Sequence, residues 1–277
     1  MKKSRIARTI FALLFLIGFG IYTYKMDSLR QHSRDVESWG EAGGLHPEGY
    51  GEAIQVEASP AEPTVEPTAE PTESPAPESD LPDIDVTSWE FVLVNAENKL
   101  GSDYAPPEVV EVSDSLCPQD SRIAEALTSF YEGAQAQGLP VYLSSGYRSY
   151  ADQSYLYQRK IDQGYSKEEA GRIVAEPGTS EHQTGLCCDI TDVYRETKSW
   201  EALEPTETYQ WLQAHCQEYG FIVRYPKSKS GLTTEEAASS VTGIIYEPWH
   251  FRYVGVEAAT YIMENDLCLE EFLALYE

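Results

Sequence analysis

Two histidines and one aspartate in this chain have spacings that could build a metal site. His182 and Asp189 lie seven residues apart across Gly185, so a loop that leads into a strand could direct both side chains to one point. His250 belongs to a distant strand-like segment and would complete a set of two imidazoles and one carboxylate. Three protein ligands with an open fourth position are typical of catalytic zinc, which acidifies a water.

An acid close to the third of these residues could supply a general base. Glu247 precedes His250 by three residues. A carboxylate beside an activated water can accept its proton and return it to a leaving amine. A single histidine on a strand is more often a hydrogen-bonded structural residue, so spacing alone leaves a metal site and a structural role as alternatives.

Three motifs that contain these residues resemble a known family. They are Ser145-Gly-Tyr-Arg-Ser149 with Gln153, Ser180-Glu-His-Gln-Thr-Gly185 with Asp189, and Glu247-Pro-Trp-His250. In this order, and over roughly residues 90–275, they resemble the VanY-type zinc D-alanyl-D-alanine carboxypeptidases. The resemblance implies that Zn²⁺ is the cofactor, that His182, Asp189 and His250 are its ligands, and that Glu247 is the catalytic base.

The resemblance also implies a substrate and the residues that bind it. Arg148 would face the substrate and stabilise the carbonyl oxygen or the terminal carboxylate, which a guanidinium can hold in a bidentate manner. Gln153 and Ser180 match positions that line the family's substrate pocket. The implied reaction removes the C-terminal D-alanine from peptidoglycan stem peptides. Two alternatives are an L,D-carboxypeptidase acting on tetrapeptide stems and a non-catalytic cell-wall-binding module.

The elements that must position these residues are predicted from caps and apolar runs. Helices are predicted after three capping residues, Asp120, Ser166 and Thr206. Strand-like runs cover residues 141–144, 221–225 and 243–254. Helices and strands follow each other irregularly, which favours an α+β fold over a repeated βαβ unit. The family resemblance implies a small domain with a mostly antiparallel sheet flanked by helices.

The charge of the chain is unevenly distributed. The net charge is −26, from 46 acidic and 20 basic residues, which disfavours a nucleic-acid partner. Residues 1–34 carry +6, residues 35–98 carry −16, and residues 99–277 carry −16. Basic residues before an uncharged apolar run predict a transmembrane signal anchor over residues 1–25, with the rest of the chain on the cell-wall side. A cleaved signal peptide and a buried core helix are the alternatives.

The acidic segment after the anchor has the composition of a spacer. Within residues 26–83 a Glu-Pro-Thr unit recurs at positions 62, 66 and 70. Frequent proline and like charges favour an extended chain that buries little apolar surface. Residues 26–83 are therefore predicted to be a stalk, and residues 84–277 a single zinc carboxypeptidase domain. The expected partners are peptidoglycan stem peptides and the membrane, and the expected state is a monomer.

The chain has five cysteines, an odd number, so at least one of them cannot form a disulfide within a monomer. Cys187 and Cys188 stand directly before Asp189, where small apolar residues are expected. They are interpreted as two small buried side chains, with a vicinal disulfide or a thiolate that competes for zinc as the alternatives. Cys216 with Cys268 is a candidate disulfide pair.

Overall fold

The structure, a computed structural model, describes residues 81–113, 117–192 and 199–277. The predicted anchor and nearly all of the predicted stalk lie outside these ranges. No helix within them is long and apolar enough to cross a membrane. The described residues form an α+β fold, which confirms the fold class expected from the sequence.

Two antiparallel sheets make up the β structure of the described residues. The smaller is a hairpin of β1 (Val109–Val112) and β2 (Cys117–Asp120). The larger has four strands, which are β3 (Tyr142–Ser145), β4 (Cys187–Thr191), β5 (Phe221–Tyr225) and β6 (Glu247–Tyr253). Its spatial order is β3-β4-β6-β5, and every neighbouring pair is antiparallel. The predicted antiparallel sheet is therefore confirmed.

Helices surround the larger sheet, and their starts follow the predicted caps. The described α-helices are α1 (Ala124–Ala136), α2 (Tyr150–Asp162), α3 (Lys167–Ile173), α4 (Trp200–Leu203), α5 (Glu207–His215), α6 (Thr234–Ala237), α7 (Val256–Glu264) and α8 (Leu269–Ala274). Ser166 and Glu169 form the predicted capping box at the start of α3. The Thr206 side chain accepts a hydrogen bond from the Tyr209 N–H at the start of α5. A 3₁₀ turn, which the Asp120 carboxylate caps, precedes α1.

One predicted strand begins later than the sequence pattern indicates. The prediction covered residues 243–254, but β6 begins only at Glu247. Gly243 has a φ of 69°, and strand residues need a strongly negative φ, so the chain is not extended there. Ile245 makes a single parallel bridge to Gly231 instead. The apolar run before Glu247 is therefore a packed connection and not a strand.

The two faces of the larger sheet have different roles, because successive strand residues point to opposite sides. One face packs against α1 in an apolar cluster that includes Phe130, Cys188, Val223 and Phe251. The opposite face carries the polar residues that alternate with these on β4 and β6, namely Cys187, Asp189, His250 and Arg252. All four are buried, so this polar face is enclosed in the protein.

Candidate metal centre and active site

His182 lies on a short turn that immediately precedes β4. The 3₁₀ turn Glu181–Thr184 ends at Gly185, which has a φ of 68°. A Cβ atom at this position would lie 2.9 Å from the Asp120 backbone nitrogen, so glycine is required for both its conformation and its size. The tight reversal brings the His182 ring back over the strand that carries Asp189.

Asp189 and His250 meet through the strand register. They are directly paired across β4 and β6, so their side chains share one face of the sheet. The Asp189 Oδ1 atom lies 3.0 Å from His250 Nδ1 and 3.5 Å from His182 Nε2. Donor atoms at the corners of a zinc tetrahedron lie about 3.3 Å apart when the bonds are 2.0–2.1 Å long. The distances from Asp189 to the two predicted histidine ligands are therefore close to those that zinc requires.

The outer nitrogen of each imidazole faces an acceptor. His182 Nδ1 lies 2.7 Å from the Gly146 carbonyl oxygen, which can only accept a hydrogen bond. His250 Nε2 lies 3.5 Å from Glu181 Oε2, and among the described residues neither buried atom has another hydrogen-bond partner. These acceptors would keep the outer nitrogens protonated when a metal is bound, so that His182 Nε2 and His250 Nδ1 could give their lone pairs to it. Without a metal, the Asp189 carboxylate favours a proton on His250 Nδ1, 3.0 Å away. Metal-binding histidines typically have such outer partners.

The surroundings of the two imidazoles favour positive charge. Burial lowers the pKa of a histidine, yet the negative neighbours Cys187 and Asp189 raise the pKa of His182 above its usual value. The same two neighbours and Glu181 raise the pKa of His250 well above its usual value, again against the effect of burial. A bound cation would satisfy this electrostatic environment, so the donor set fits a zinc ion in charge and in the two distances from Asp189.

Cys187 lies in this cluster, and the structure excludes one of the three alternatives for the adjacent cysteines. Ligand atoms of His182, Cys187 and His250 all lie within 4.8 Å of one another. Burial would raise the pKa of the Cys187 thiol, but the two imidazoles together lower it to about 7. Cys188 is also a thiol, so no vicinal disulfide forms, and it packs in the apolar cluster.

The other three cysteines are also buried thiols. The candidate Cys216–Cys268 disulfide is therefore wrong for this structure. Burial raises the pKa of both Cys216 and Cys268 to about 12, so these thiols stay protonated at neutral pH.

Glu247 lies at the edge of the cluster. Its Oε2 atom is 3.8 Å from His250 Nδ1, and 15% of its side chain is exposed. Residues three apart on a regular strand point to opposite faces. A register shift between β5 and β6 pairs Val223 with Phe251 but Tyr225 with Glu247, and this irregularity lets Glu247 approach His250. A partly exposed carboxylate at this position can exchange protons with a water beside the three ligands.

The Arg148 guanidinium is held beside the cluster by two neighbours. Its Nη1 atom donates to Gln153 Oε1 at 2.7 Å and its Nη2 atom donates to Ser145 Oγ at 2.9 Å. Burial lowers the pKa of Arg148, which the negative charges of Asp189, Cys187 and Glu247 oppose. Two of its five N–H donors are used in these bonds. The planar guanidinium group of Arg148 is thus fixed in orientation close to Asp189 and Glu247.

The two other predicted substrate-binding residues lie deeper than Arg148. Gln153 is 1% exposed, and its Nε2 atom donates to the Ala175 carbonyl oxygen at 2.6 Å. In this position Gln153 orients Arg148. Ser180 is 6% exposed and directly precedes the turn that carries His182. Direct contact of either side chain with a substrate stays a prediction.

Two residues of the site were not predicted from the sequence. Glu181 lies inside the motif that contains His182, but no spacing rule marks it as a partner of His250. Tyr225 packs its ring 5.0 Å from the His250 ring, and burial raises the pKa of its phenol. An aromatic residue at the end of an apolar strand carries no signal that separates a site wall from a core residue.

Gly146 lies between the β1–β2 hairpin and His182. Its replacement by alanine should lower both the stability of the fold and the affinity for zinc. A Cβ atom there would lie 2.2 Å from the Pro118 carbonyl oxygen and 2.7 Å from Cys117 Sγ, so the backbone must move. Overpacking of this kind costs about 1–3 kcal/mol of unfolding free energy. Because the Gly146 carbonyl binds His182, we also expect weaker zinc binding, measured by competition with a chromophoric chelator.

Gly171→Ala is the matched control for that change. Gly171 lies inside α3, and its added Cβ atom would meet only Glu176 Cγ, at an ordinary 3.7 Å. Alanine is a better helix former by about 0.5–1 kcal/mol, so stability should rise slightly and zinc binding should not change. Equal zinc affinity in Gly146→Ala and Gly171→Ala would contradict the proposed link between Gly146 and His182.

The sequence of the chain matches one family of known proteins. Residues 118–256 match the family model described as VanY, D-alanyl-D-alanine carboxypeptidase. A D-alanyl-D-alanine carboxypeptidase of Enterococcus faecalis is 37% identical over 198 residues, which is 68% of this chain and 67% of that relative. The chain thus spans about two thirds of the length of that relative.

Solved structures with the same fold support this placement. The L,D-carboxypeptidase LdcB matches with a TM-score of 0.58 at 34% identity, over 66% of this chain and 85% of LdcB. VanYB in complex with D-alanine-D-alanine matches with a TM-score of 0.55 at 36% identity, over 69% of this chain and 100% of VanYB. A VanYB mutant has also been solved in complex with Zn(II), with a TM-score of 0.54 over 67% of this chain and 99% of that one. The chain therefore belongs to the VanY family of D-alanyl-D-alanine carboxypeptidases, a family of zinc peptidases.

Proposed function

We propose that the chain is a zinc-dependent D-alanyl-D-alanine carboxypeptidase that removes the C-terminal D-alanine from peptidoglycan stem peptides. The observation that carries the proposal is the assembly of His182, Asp189, His250 and Glu247 at one point, with donor spacings of 3.0 and 3.5 Å. The names of the similar proteins supply the substrate class, and the complete set of chemically competent residues argues against a non-catalytic wall-binding module.

The residues at the site divide the reaction between them. His182 Nε2, Asp189 Oδ1 and His250 Nδ1 would hold the zinc ion, which when bound supplies Lewis-acid activation of a water and of the peptide carbonyl. Glu247 takes a proton as the water oxygen adds to the carbonyl carbon, and it then delivers that proton to the amide nitrogen as the C–N bond breaks. Arg148 offsets the negative charge that develops on the carbonyl oxygen or grips the terminal carboxylate.

Arg148→Lys should lower kcat/KM even though it keeps the positive charge. Lysine cannot present two parallel N–H donors or bond Gln153 and Ser145 in the same orientation. Loss of a charge-assisted hydrogen bond costs about 1.5–3 kcal/mol, which is a factor of about 10–150 in kcat/KM. Arg159→Lys, on α2 with its guanidinium over the Tyr155 ring, is the control. Equal kinetics in both variants would show that Arg148 does not contact the substrate.

The proposed reaction is tested by product analysis with the full-length protein and zinc. One sample receives a stem pentapeptide that ends in D-alanyl-D-alanine, another receives the tetrapeptide, and released D-alanine is quantified. Release from the pentapeptide that a chelator abolishes and zinc restores is the expected result. Release from the tetrapeptide alone would indicate an L,D-carboxypeptidase, and release from neither peptide would contradict the proposal.

We also propose that a membrane anchor over residues 1–25 and a stalk over residues 26–83 hold a monomeric domain, residues 84–277, on the cell-wall side. The basic head, the apolar run and the Pro/Glu-rich composition support this arrangement. Fractionation of cells, followed by protease treatment of spheroplasts, tests it. The protein should be in the membrane fraction and should be degraded from outside. A protected or freely soluble protein would contradict the anchor.

A further inference from the structure

Cys187 is buried on the polar face of the sheet and not in the apolar core. Cys187 and Asp189 are two residues apart on β4, so their side chains point to the same side, while Cys188 between them points to the other. Cys117, Cys188 and Cys216 belong to the apolar cluster, whereas Cys187 and Cys268 belong to neither apolar cluster of the described residues. Cys187 differs from Cys268 in its surroundings, because it is paired with Arg252 on the sheet face that carries Asp189 and His250.

The immediate surroundings of Cys187 are the proposed metal ligands. Its Sγ atom and one nitrogen each of His182 and His250 lie within 4.8 Å of one another. In a zinc tetrahedron a sulfur donor at 2.3 Å lies about 3.6 Å from a nitrogen donor at 2.0–2.1 Å. The 4.8 Å limit exceeds that spacing by about 1.2 Å, which the three side chains would have to close when the metal binds.

We propose that Cys187 is a fourth protein ligand to the metal, which completes a set of two histidines, one aspartate and one cysteine. This inference rests on the proposed metal site formed by His182, Asp189 and His250. As the sulfur–metal bond forms, the thiol releases its proton to solvent. Thiolate, imidazole and carboxylate are all donors that zinc accepts.

A fourth protein ligand changes the resting state of the site. Four-coordinate sites with only protein donors are characteristic of structural zinc, whereas catalytic sites keep one position open. In this chain the thiolate would occupy that position, so water and substrate enter only if the site expands to five ligands or the thiolate withdraws. Stronger metal retention is the direct consequence.

Cobalt substitution tests the proposal without any activity measurement. Full-length protein, Cys187→Ala and the matched control Cys188→Ala are each loaded with Co²⁺. The wild type and Cys188→Ala should show a near-ultraviolet thiolate-to-cobalt charge-transfer band. Cys187→Ala should lack this band and retain the visible bands of cobalt held by the other three ligands. Its zinc affinity should fall by at least about tenfold, the lower bound for loss of even an outer partner.

The possible outcomes are distinct. Identical near-ultraviolet spectra and zinc affinities for the wild type and Cys187→Ala would overturn the fourth ligand but leave the three-ligand site intact. Absence of visible cobalt bands from all proteins would overturn the metal site itself. X-ray absorption of the zinc-loaded wild type needs no variant: a sulfur shell at about 2.3 Å supports the proposal, and nitrogen and oxygen alone at 2.0–2.1 Å contradict it.

Discussion

Glu247→Gln should lower kcat by about 10²–10⁴-fold, the range that general acid–base groups contribute. The amide keeps the size of the side chain at the start of β6 but can neither accept the proton of the attacking water nor return it to the leaving amine. KM should change little, because the groups that would hold the zinc and the substrate carboxylate remain. Steady-state release of D-alanine from the pentapeptide measures both constants.

The zinc content of this variant separates catalysis from metal binding. Glu247 Oε2 lies 3.8 Å from His250 Nδ1 and is not one of the proposed ligands, so zinc affinity should stay close to that of the wild type. Glu218→Gln is the matched control, since Glu218 is an exposed carboxylate paired with His215. A kcat within about threefold of the wild type would show that another group acts as the base.

The approach of His182 to Asp189, two of the proposed metal ligands, was predictable from the sequence because local chain geometry dictates it. A histidine before a glycine turn and an aspartate on the following strand must come close together once that turn reverses the chain. His250 was a candidate from its residue type and its strand-like segment, but no local rule pairs β4 with β6, so its closeness to the other two could not be derived from the sequence pattern. The structure supplies the missing step, which is the direct pairing of Asp189 with His250.

The position of Glu247 relative to His250 could not be derived from spacing. The three-residue interval predicts opposite faces on a regular strand, and only the irregular pairing of β5 with β6 overcomes this. The predicted strand over residues 243–254 missed this irregularity and also the left-handed Gly243. Bulges depend on the partner strand, so a single strand's sequence pattern does not reveal them.

The network around Glu181 was missed for a different reason. Its members come from distant parts of the chain, and charged residues are usually interpreted as surface positions. In the structure Glu181 Oε1 accepts hydrogen bonds from Arg224 Nε and Arg252 Nη1, both at 2.7 Å, and both arginine side chains are completely buried. Glu270 forms a bidentate pair with Arg224, so two carboxylates balance the positive charges of the two arginines.

Glu181→Gln should destabilise the fold and weaken zinc binding together. Burial alone would raise the pKa of Glu181, but Arg224 and Arg252 hold it far below its usual value, so the carboxylate is ionised at neutral pH. The neutral amide leaves one buried guanidinium uncompensated, which costs about 3–5 kcal/mol of unfolding free energy. The two arginines need the single amide oxygen, so an NH2 donor would face His250 Nε2, and zinc affinity should fall by about 10–100-fold. Urea unfolding of the metal-free protein and chelator competition measure the two effects.

Glu270→Gln distinguishes a role at the metal from general destabilisation. Glu270 pairs with the same Arg224 and is partly exposed, with 16% of its side chain accessible. Its contacts are to Arg224 and Asn95 and not to His250, so its loss should lower stability while zinc affinity stays unchanged. If Glu181→Gln and Glu270→Gln lowered zinc affinity equally, the effect would come from the weakened fold. A loss confined to Glu181→Gln would instead assign to this carboxylate the orientation of His250, because both variants remove a negative charge from beside Arg224 and Glu181 is the one that faces the imidazole.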